Sequence, residues 1–159
     1  MRIEPYEPHH LDAVIRLSLR AWSPVFDSIQ NTMDADVYQA FYPDGWRASQ
    51  QKAVEDVCTS EDIQTWIAID AGSTLGFAAA KLNPEDSMGE LYMVAVDPDI
   101  QGQGVGSALV DHALAWMKDT GMSIAMVETG GDPGHASARY TYEKAGFGLW
   151  PVARYFKKL

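Results

Sequence analysis

Residues 1–159 are predicted to form one domain of mixed α and β structure, with a mostly antiparallel sheet of six to seven strands and about four helices. Between positions 63 and 96, three runs rich in β-branched and aromatic residues alternate with short polar segments, a pattern typical of a β-meander. The third run then passes through a glycine-rich loop into an amphipathic helical pattern and a further apolar run at 124–128. That order predicts a right-handed β-α-β crossover with parallel strands.

The N-terminal third predicts a short edge strand followed by helices. Residues 1–5 form the strand, and apolar residues from Leu11 to Trp22 recur at three- and four-residue steps, the spacing of a helix with one buried stripe. Pro24 is expected to end this helix. A second helical region is expected from about residue 33 to 58, with a break at 43–45.

The remaining elements follow from alternating patterns and turn residues. They are predicted strands at 63–70, 75–81, 90–96 and 124–128, a helix at 104–120, a short helix at 135–145, and a final pair of strands running from Phe147 to Phe156 with an interruption at Pro151. No internal repeat or low-complexity segment interrupts this order.

Composition excludes several classes of function. The chain is 47% apolar, but no apolar run approaches the roughly 20 residues that cross a bilayer, so no membrane span is expected. The first ten residues contain two glutamates and two prolines where a signal peptide needs basic and then apolar residues, and we expect a cytoplasmic protein. The net charge of −10 argues against binding nucleic acid through a basic surface.

Cysteine and histidine usage argues against a metal centre. Cys58 is the only cysteine, which excludes an internal disulfide and a thiolate cluster, and no histidine partner for covalent catalysis is visible near it. His9, His10 and His112 lack the spacing of metal ligands and are expected on the surface or on a helix face.

The loop with glycines at 102, 104 and 106 predicts an anion site. The first N–H groups of a helix lack internal partners and lie at the positive end of the helix dipole, so a phosphate placed there is stabilised twice. Glycines at three alternate positions have no Cβ, so the backbone there can take positive φ angles and can approach a pyrophosphate closely.

Two classes of phosphate-binding loop compete for this stretch. A dinucleotide fingerprint is nearly matched by Gly102, Gly104 and Ser107, with Glu128 as the acidic residue further on, but residues 97–101 separate the glycines from their strand. The other class fits better. Gln101-x-x-Gly104-x-Gly106, preceded by Val-Ala-Val-Asp-Pro, resembles the pyrophosphate loop of the GNAT superfamily of N-acetyltransferases.

A second segment strengthens this resemblance. Residues 138–147, Ala-Arg-Tyr-Thr-Tyr-Glu-Lys-Ala-Gly-Phe, resemble the second GNAT motif, with matches at Ala138, Tyr142, Glu143, Lys144, Gly146 and Phe147. His135 stands where that motif usually has an asparagine that contacts the cofactor, and Thr141 replaces a leucine. Together with the strands between them, the two motifs cover about residues 63–156.

The resemblance implies a transferase that uses acetyl-CoA as co-substrate and a primary amine as acceptor, in a direct attack within a ternary complex. No metal is implied, and a homodimer is a family-level expectation. The strand end, the loop and the second motif would contact acetyl-CoA through Val94, Ala95, Val96, Gln101, Gly102, Gln103, Gly104, Val105, Gly106, Ser107, His135 and Tyr142. Residues 94–96 would pair with the pantetheine arm as another strand would.

Acetyl transfer needs a base, an oxyanion donor and an acid for the departing thiolate. Tyr142 suits the acid, because a phenol stays protonated at neutral pH. The predicted base is Glu90 or Glu128. The alternative that neither glutamate is the base stays open. Glu90 is expected to share one strand face with Tyr92 and Val94, and a backbone N–H near Val94 would stabilise the oxyanion.

Alternatives remain at this stage. Tyr142 has a purely structural interpretation, as a ring that packs under the sheet. A non-catalytic acyl-CoA sensor would keep the cofactor site without turnover, and a nicotinamide-dinucleotide binder would use Glu128 to hold a ribose. The acceptor amine is not indicated by any motif.

Overall fold

The computed structural model describes residues 1–159, and its five strands form one sheet in the order β1-β2-β3-β4-β5. The strands are β1 (Arg2–Pro5), β2 (Ile63–Asp70), β3 (Ser73–Asn83), β4 (Met88–Val96) and β5 (Ile124–Val127). The first three pairings are antiparallel, and β4 pairs with β5 in parallel. The mixed, mostly antiparallel sheet is confirmed, but with five strands rather than six to seven.

Five helices flank this sheet, one more than expected. They are α1 (Leu11–Thr32), α2 (Ala35–Phe41), α3 (Trp46–Thr59), α4 (Val105–Asp119) and α5 (Ala136–Lys144). Helix α4 connects the parallel strands β4 and β5, as the crossover pattern predicts. No helix of the chain is both long enough and apolar enough to span a bilayer.

The prediction that Pro24 ends the first helix is wrong. Helix α1 continues through Pro24 to Thr32, although an interior proline removes one hydrogen bond and costs about 3 kcal/mol. The turns after Pro24 are held by packing: the buried Phe26 ring stacks on Trp46 at 4.5 Å and meets the edge of Tyr42 at 5.3 Å between ring centroids. Burial of this aromatic cluster outweighs the local penalty.

The sheet separates two apolar clusters. Helices α1 and α3 pack on one face, where Val14, Val54 and Phe77 are fully buried. Helix α4 packs on the other face, with Leu109 and Leu91 in its cluster. The meander is therefore covered on both sides, and only strand ends and connecting loops are left to form a site.

The predicted C-terminal pair of strands is wrong. Residues after Lys144 form neither helix nor strand, and the side chains from 148 onward are exposed, with Trp150 at 84%. Strand β5 is only four residues long, so it offers a short ladder, and Pro151 has no N–H to donate to one. The segment touches the body where Phe156 meets the edge of Phe41 at 5.0 Å.

Candidate active site

Strands β4 and β5 separate part-way along the sheet. Their pairing covers Met88–Leu91 and Ile124–Val127, so residues 92–96 have no strand beside them on that edge. Ala79 pairs with Met93 and Ala80 with Leu91, which leaves Tyr92 as an extra residue in a β-bulge. The bulge and the separation together open a slot between two parallel strands.

Backbone groups of β4 face this slot. The Asp97 N–H donates to the Leu75 carbonyl oxygen at 2.8 Å, and hydrogen-bonding direction alternates along a strand, so the N–H groups of Val94 and Val96 point away from β3. The Gln101 side-chain amide donates to the Val96 carbonyl oxygen at 3.2 Å on this side. An extended amide-bearing chain could therefore pair with the open edge of β4.

The glycine-rich loop offers a continuous set of hydrogen-bond donors. No backbone N–H from Gln101 to Ser107 has an acceptor within the protein, and the first helical bond of α4 runs from Ala108 N–H to the Gly104 carbonyl oxygen at 3.0 Å. These donors lie at the N-terminus of α4, where the helix dipole is positive. The loop is therefore built to hold an anion with several oxygens.

Two of the three loop glycines are required by backbone conformation. Gly102 and Gly104 have φ angles of 80° and 89°, a region that other residues enter only with strain. Gly106 lies inside α4 without a positive φ, so two of the three glycines use the conformational freedom that the missing Cβ allows. A Cβ at Gly106 would lie 3.5 Å from Val96 Cγ2, an ordinary contact.

Acidic residues precede the loop, and an arginine from α1 pairs with them. Asp97 accepts the Asp99 N–H at 3.0 Å and so fixes the turn. The Arg20 guanidinium reaches Asp97 at 3.0 Å and Asp99 at 2.8 Å. This pairing offsets negative charge that would otherwise repel a phosphate.

Tyr142 lies on α5 beside the slot. Its ring packs into the α4-side cluster with Val94, Val96 and Val127, and its edge meets Phe147 at 6.1 Å. The hydroxyl makes no hydrogen bond within the protein, and burial raises the pKa of this phenol. A protonated donor without a protein partner is thus present at the slot.

Glu90 lies on the opposite face of the sheet from Val94. A Cβ at Gly89 would touch Met117 of α4, and Leu91 also packs on α4, so Glu90 between them points to the other side. Beyond the bulge the alternation shifts by one residue, which brings Val94 onto the α4 side. The prediction that these two residues share one strand face is therefore wrong.

Glu90 and Glu128 both have basic partners. The Glu90 carboxylate is 24% exposed and lies 3.2 Å from Lys81 Nζ, which also lies 4.3 Å from the Tyr92 ring centroid. Glu128 directly follows β5, is 59% exposed and pairs with Arg154 of the C-terminal segment. The two residues thus lie on neighbouring strands, near the point where β4 and β5 separate.

Comparison with known proteins identifies the family to which this chain belongs. The model of the "Acetyltransferase (GNAT) family" matches residues 33–147. The chain belongs to the GNAT family of acetyltransferases. A mycothiol acetyltransferase from Actinosynnema mirum is 35% identical over 140 residues, which cover 87% of this chain and 41% of that protein. The chain spans less than half the length of the curated relatives it matches.

Solved structures share the fold. An aminoglycoside 6′-N-acetyltransferase from Acinetobacter haemolyticus superposes with a TM-score of 0.71 at 17% identity, covering 100% of this chain and 99% of that one. The PaiA N-acetyltransferase from Thermoplasma acidophilum, in complex with coenzyme A, has a TM-score of 0.68 at 16% identity, covering 96% and 94%. The nicotinamide alternative is not supported, because the dinucleotide fold needs a parallel sheet and this one has a single parallel pair.

The segment before α5 is held by a network of side chains around Asp132. His135, at the asparagine position of the second motif, pairs through Nδ1 with the Asp132 carboxylate. Asp132 also accepts a hydrogen bond from Ser28 of α1 at 2.5 Å, and Arg139 binds the Asp132 carbonyl oxygen at 2.8 Å. Sequence reasoning missed Ser28, Asp132 and Arg139. Asp132 carried a signal, since an aspartate before Pro-Gly is typical of a helix start, whereas Ser28 comes from a distant helix.

Cys58 and His10, which the sequence does not favour as catalytic residues, do not form a second reactive site. Cys58 is buried, and burial raises the pKa of its thiol to about 11, so it carries little nucleophilic thiolate at neutral pH. The prediction that His10 lies on the surface is wrong, because the residue is buried. Its Nδ1 accepts a hydrogen bond from the Glu7 N–H at 2.9 Å, which closes the turn before α1. No group of three metal-ligating side chains is assembled.

Proposed function

We propose that this chain is an N-acetyltransferase that transfers the acetyl group of acetyl-CoA to a primary amine by direct attack in a ternary complex. The observation that carries the proposal is the unbroken run of unpaired N–H donors from Gln101 to Ser107, next to the open edge of β4. We also propose that residues 1–159 act as a single acetyltransferase domain.

The two halves of the site suit two parts of coenzyme A. The loop donors at the start of α4 would hold the pyrophosphate, with Gly102 and Gly104 supplying the required backbone shape. The open edge at Val94–Val96 would pair with the amides of the pantetheine arm, as it would with a strand. Bound acetyl-CoA supplies a thioester, whose carbonyl carbon is open to attack by an amine.

The chain's own groups then divide the remaining chemistry. The Val94 N–H, which points away from β3, would stabilise the oxyanion. Tyr142, protonated and without a protein partner, would donate its proton to the thiolate. Glu90 and Glu128 are the sequence-predicted bases, and either would act on the amine through water rather than by contact.

The acceptor is proposed by class only. Curated relatives are named as mycothiol acetyltransferases, and one structural neighbour is named as an aminoglycoside acetyltransferase. Primary amines of small molecules are therefore the first class to test, with peptide N-termini and lysine side chains as the second.

Release of the coenzyme A thiol tests this function directly. Purified protein would be incubated with acetyl-CoA and a panel of polyamines, amino sugars and peptides, and Tyr142→Phe would be run in parallel. Acceptor-dependent thiol release that is lowered in the variant supports the proposal. Tight binding of acetyl-CoA without thiol release for any amine would contradict it and indicate an acyl-CoA sensor.

A further inference from the structure

The loop between β5 and α5 is tied to α1 by a buried carboxylate. The Asp132 side chain is 9% exposed, accepts from the Ser28 hydroxyl at 2.5 Å and from the Gly134 N–H at 3.1 Å, and pairs with His135 Nδ1. Burial disfavours its ionised form, but the hydrogen bonds from Ser28 and His135 outweigh burial, and the pKa of Asp132 lies below its usual value.

Close packing leaves this loop little freedom. A Cβ at Gly134 would lie 2.5 Å from Ser28 Cβ, and a Cβ at Gly130 would lie 2.5 Å from His135 Nδ1. Both positions therefore exclude any side chain. The imidazole is held in one place by the carboxylate, the loop backbone and helix α1.

The pairing fixes which ring nitrogen is free. A carboxylate can only accept, so Nδ1 is the nitrogen that donates to Asp132, and Nε2 makes no hydrogen bond within the protein. The ring pairs with the charged Asp132, and the Arg139 guanidinium of α5 binds the Gly130 and Asp132 carbonyl oxygens of the same loop. Helix α1 contributes the neutral Ser28 hydroxyl, which donates to Asp132. The His135 side chain is 20% exposed, so the ring is partly open to solvent.

His135 is the N-cap residue that directly precedes α5, and Tyr142 lies two turns further along the helix. A spacing of seven residues places both on the same side of the helix axis, and side chains on a helix lean toward its N-terminus, so the phenol leans toward the histidine. Tyr142 packs at the slot between β4 and β5. The histidine therefore lies on the side of α5 that carries Tyr142.

We propose that His135, rather than either glutamate, is the base of the reaction, held in position by Asp132 and Ser28. This rests on the proposed function. Glu90 and Glu128 are each paired with a basic side chain, whereas Nε2 of His135 has no partner in the protein.

The proton balance is simple. Nε2 takes one proton from the acceptor ammonium, directly or through one water, and passes it to solvent. The amine lone pair then forms the C–N bond, the C–S bond breaks, and Tyr142 protonates the thiolate. As the amide forms, the former amine nitrogen loses one further proton, which returns to the Tyr142 phenolate. The products are the amide, the free thiol and one proton.

His135→Asn gives the sharpest test, because asparagine is the usual residue here in the motif and keeps hydrogen bonding but cannot titrate. We expect kcat/KM at neutral pH to fall by about 10²-fold, within the range for general-base catalysis, and the acidic limb of the pH profile to disappear. The dissociation constant for acetyl-CoA should stay within about threefold. His9→Asn, at an exposed histidine outside the site, is the matched control and should leave all three values unchanged.

Asp132→Asn adds a second test. Loss of the carboxylate removes the acceptor that orients the imidazole through Nδ1, so kcat/KM should fall, while thermal unfolding reports whether the loop survives. Retained activity and an intact acidic limb in His135→Asn would overturn the proposal and leave His135 as a cofactor contact. An acidic limb that vanishes in Glu90→Gln or Glu128→Gln would overturn it as well.

A measurement without turnover separates this inference from the proposed function. Long-range ¹H–¹⁵N spectra of the free protein should show the His135 ring protonated at Nδ1 and unprotonated at Nε2. A proton on Nε2 at neutral pH would overturn the base assignment even if acetyl transfer is active. Absence of acetyl transfer to any amine, with the Nδ1 tautomer present, would overturn the proposed function and with it the role of the histidine as base.

Discussion

Alanine substitution at two neighbouring glycines should change stability in opposite directions. At Gly104, φ is 89° and nothing lies within 4 Å of a new Cβ, so Gly104→Ala carries backbone strain without a clash. An L-residue in that region costs roughly 1–2 kcal/mol. At Gly106, inside α4, the new Cβ makes an ordinary contact, and Gly→Ala in a helix stabilises by about 0.5–1 kcal/mol.

Thermal unfolding, followed by circular dichroism, measures these free-energy changes as shifts of the unfolding midpoint. For a chain of this size, 1 kcal/mol shifts the midpoint by about 2–4 °C. Gly104→Ala should therefore lower it by about 2–8 °C, and Gly106→Ala should raise it by about 1–4 °C. Affinity for acetyl-CoA should fall in Gly104→Ala alone, because the strained loop can no longer align its donors.

Two outcomes would contradict the role of the backbone at Gly104. Equal shifts of the same sign in the two variants would show that the backbone conformation at residue 104 does not control this loop. Unchanged acetyl-CoA affinity in Gly104→Ala would separate the loop from cofactor binding.

The remaining predictions concern single groups. Tyr142→Phe should lower kcat while the KM for acetyl-CoA changes little, measured by thiol release. The Cys58 pKa is raised by burial to about 11, so its contribution to stability is present below pH 9 and is lost as pH rises toward 11; unfolding free energies of wild type and Cys58→Ala should converge over that range. The Asp132 pKa is lowered, so its contribution is present above the usual carboxyl pKa of about 4 and is lost as pH falls; urea unfolding of wild type should show an acid loss that Asp132→Asn lacks. Gly134→Ala should destabilise strongly through the clash with Ser28 Cβ, and Ser28→Gly should relieve it in the double variant.

Much of the fold could be predicted because local patterns and tertiary structure agree. The strand at 63–70 matches β2 residue for residue, and the glycine loop leads into α4 as its helix-start pattern indicates. The continuation of α1 beyond Pro24 could not be predicted from the sequence. The contacts that hold the following turns come from Trp46 and Tyr42, which a local pattern does not reveal.

The site was predicted where its parts are contiguous in sequence. The loop donors and Tyr142 belong to two short motifs, so their positions followed from spacing. The bulge at Tyr92 was missed because an extra residue in one strand appears only when its partner strand is known. The Ser28–Asp132 contact joins residues 104 positions apart, and no periodicity reports it.

Amide hydrogen exchange with and without acetyl-CoA reports on the glycine-rich loop and the open edge of β4 in one experiment. The N–H groups from Gln101 to Ser107 have no acceptor in the protein and should exchange rapidly in the free chain, whereas Ala108, bonded to Gly104, is an internal reference. Acetyl-CoA should slow exchange across this run and at Val94 and Val96, whereas NAD should not. Exchange in the loop and at the edge of β4 that is unchanged by saturating acetyl-CoA would contradict it.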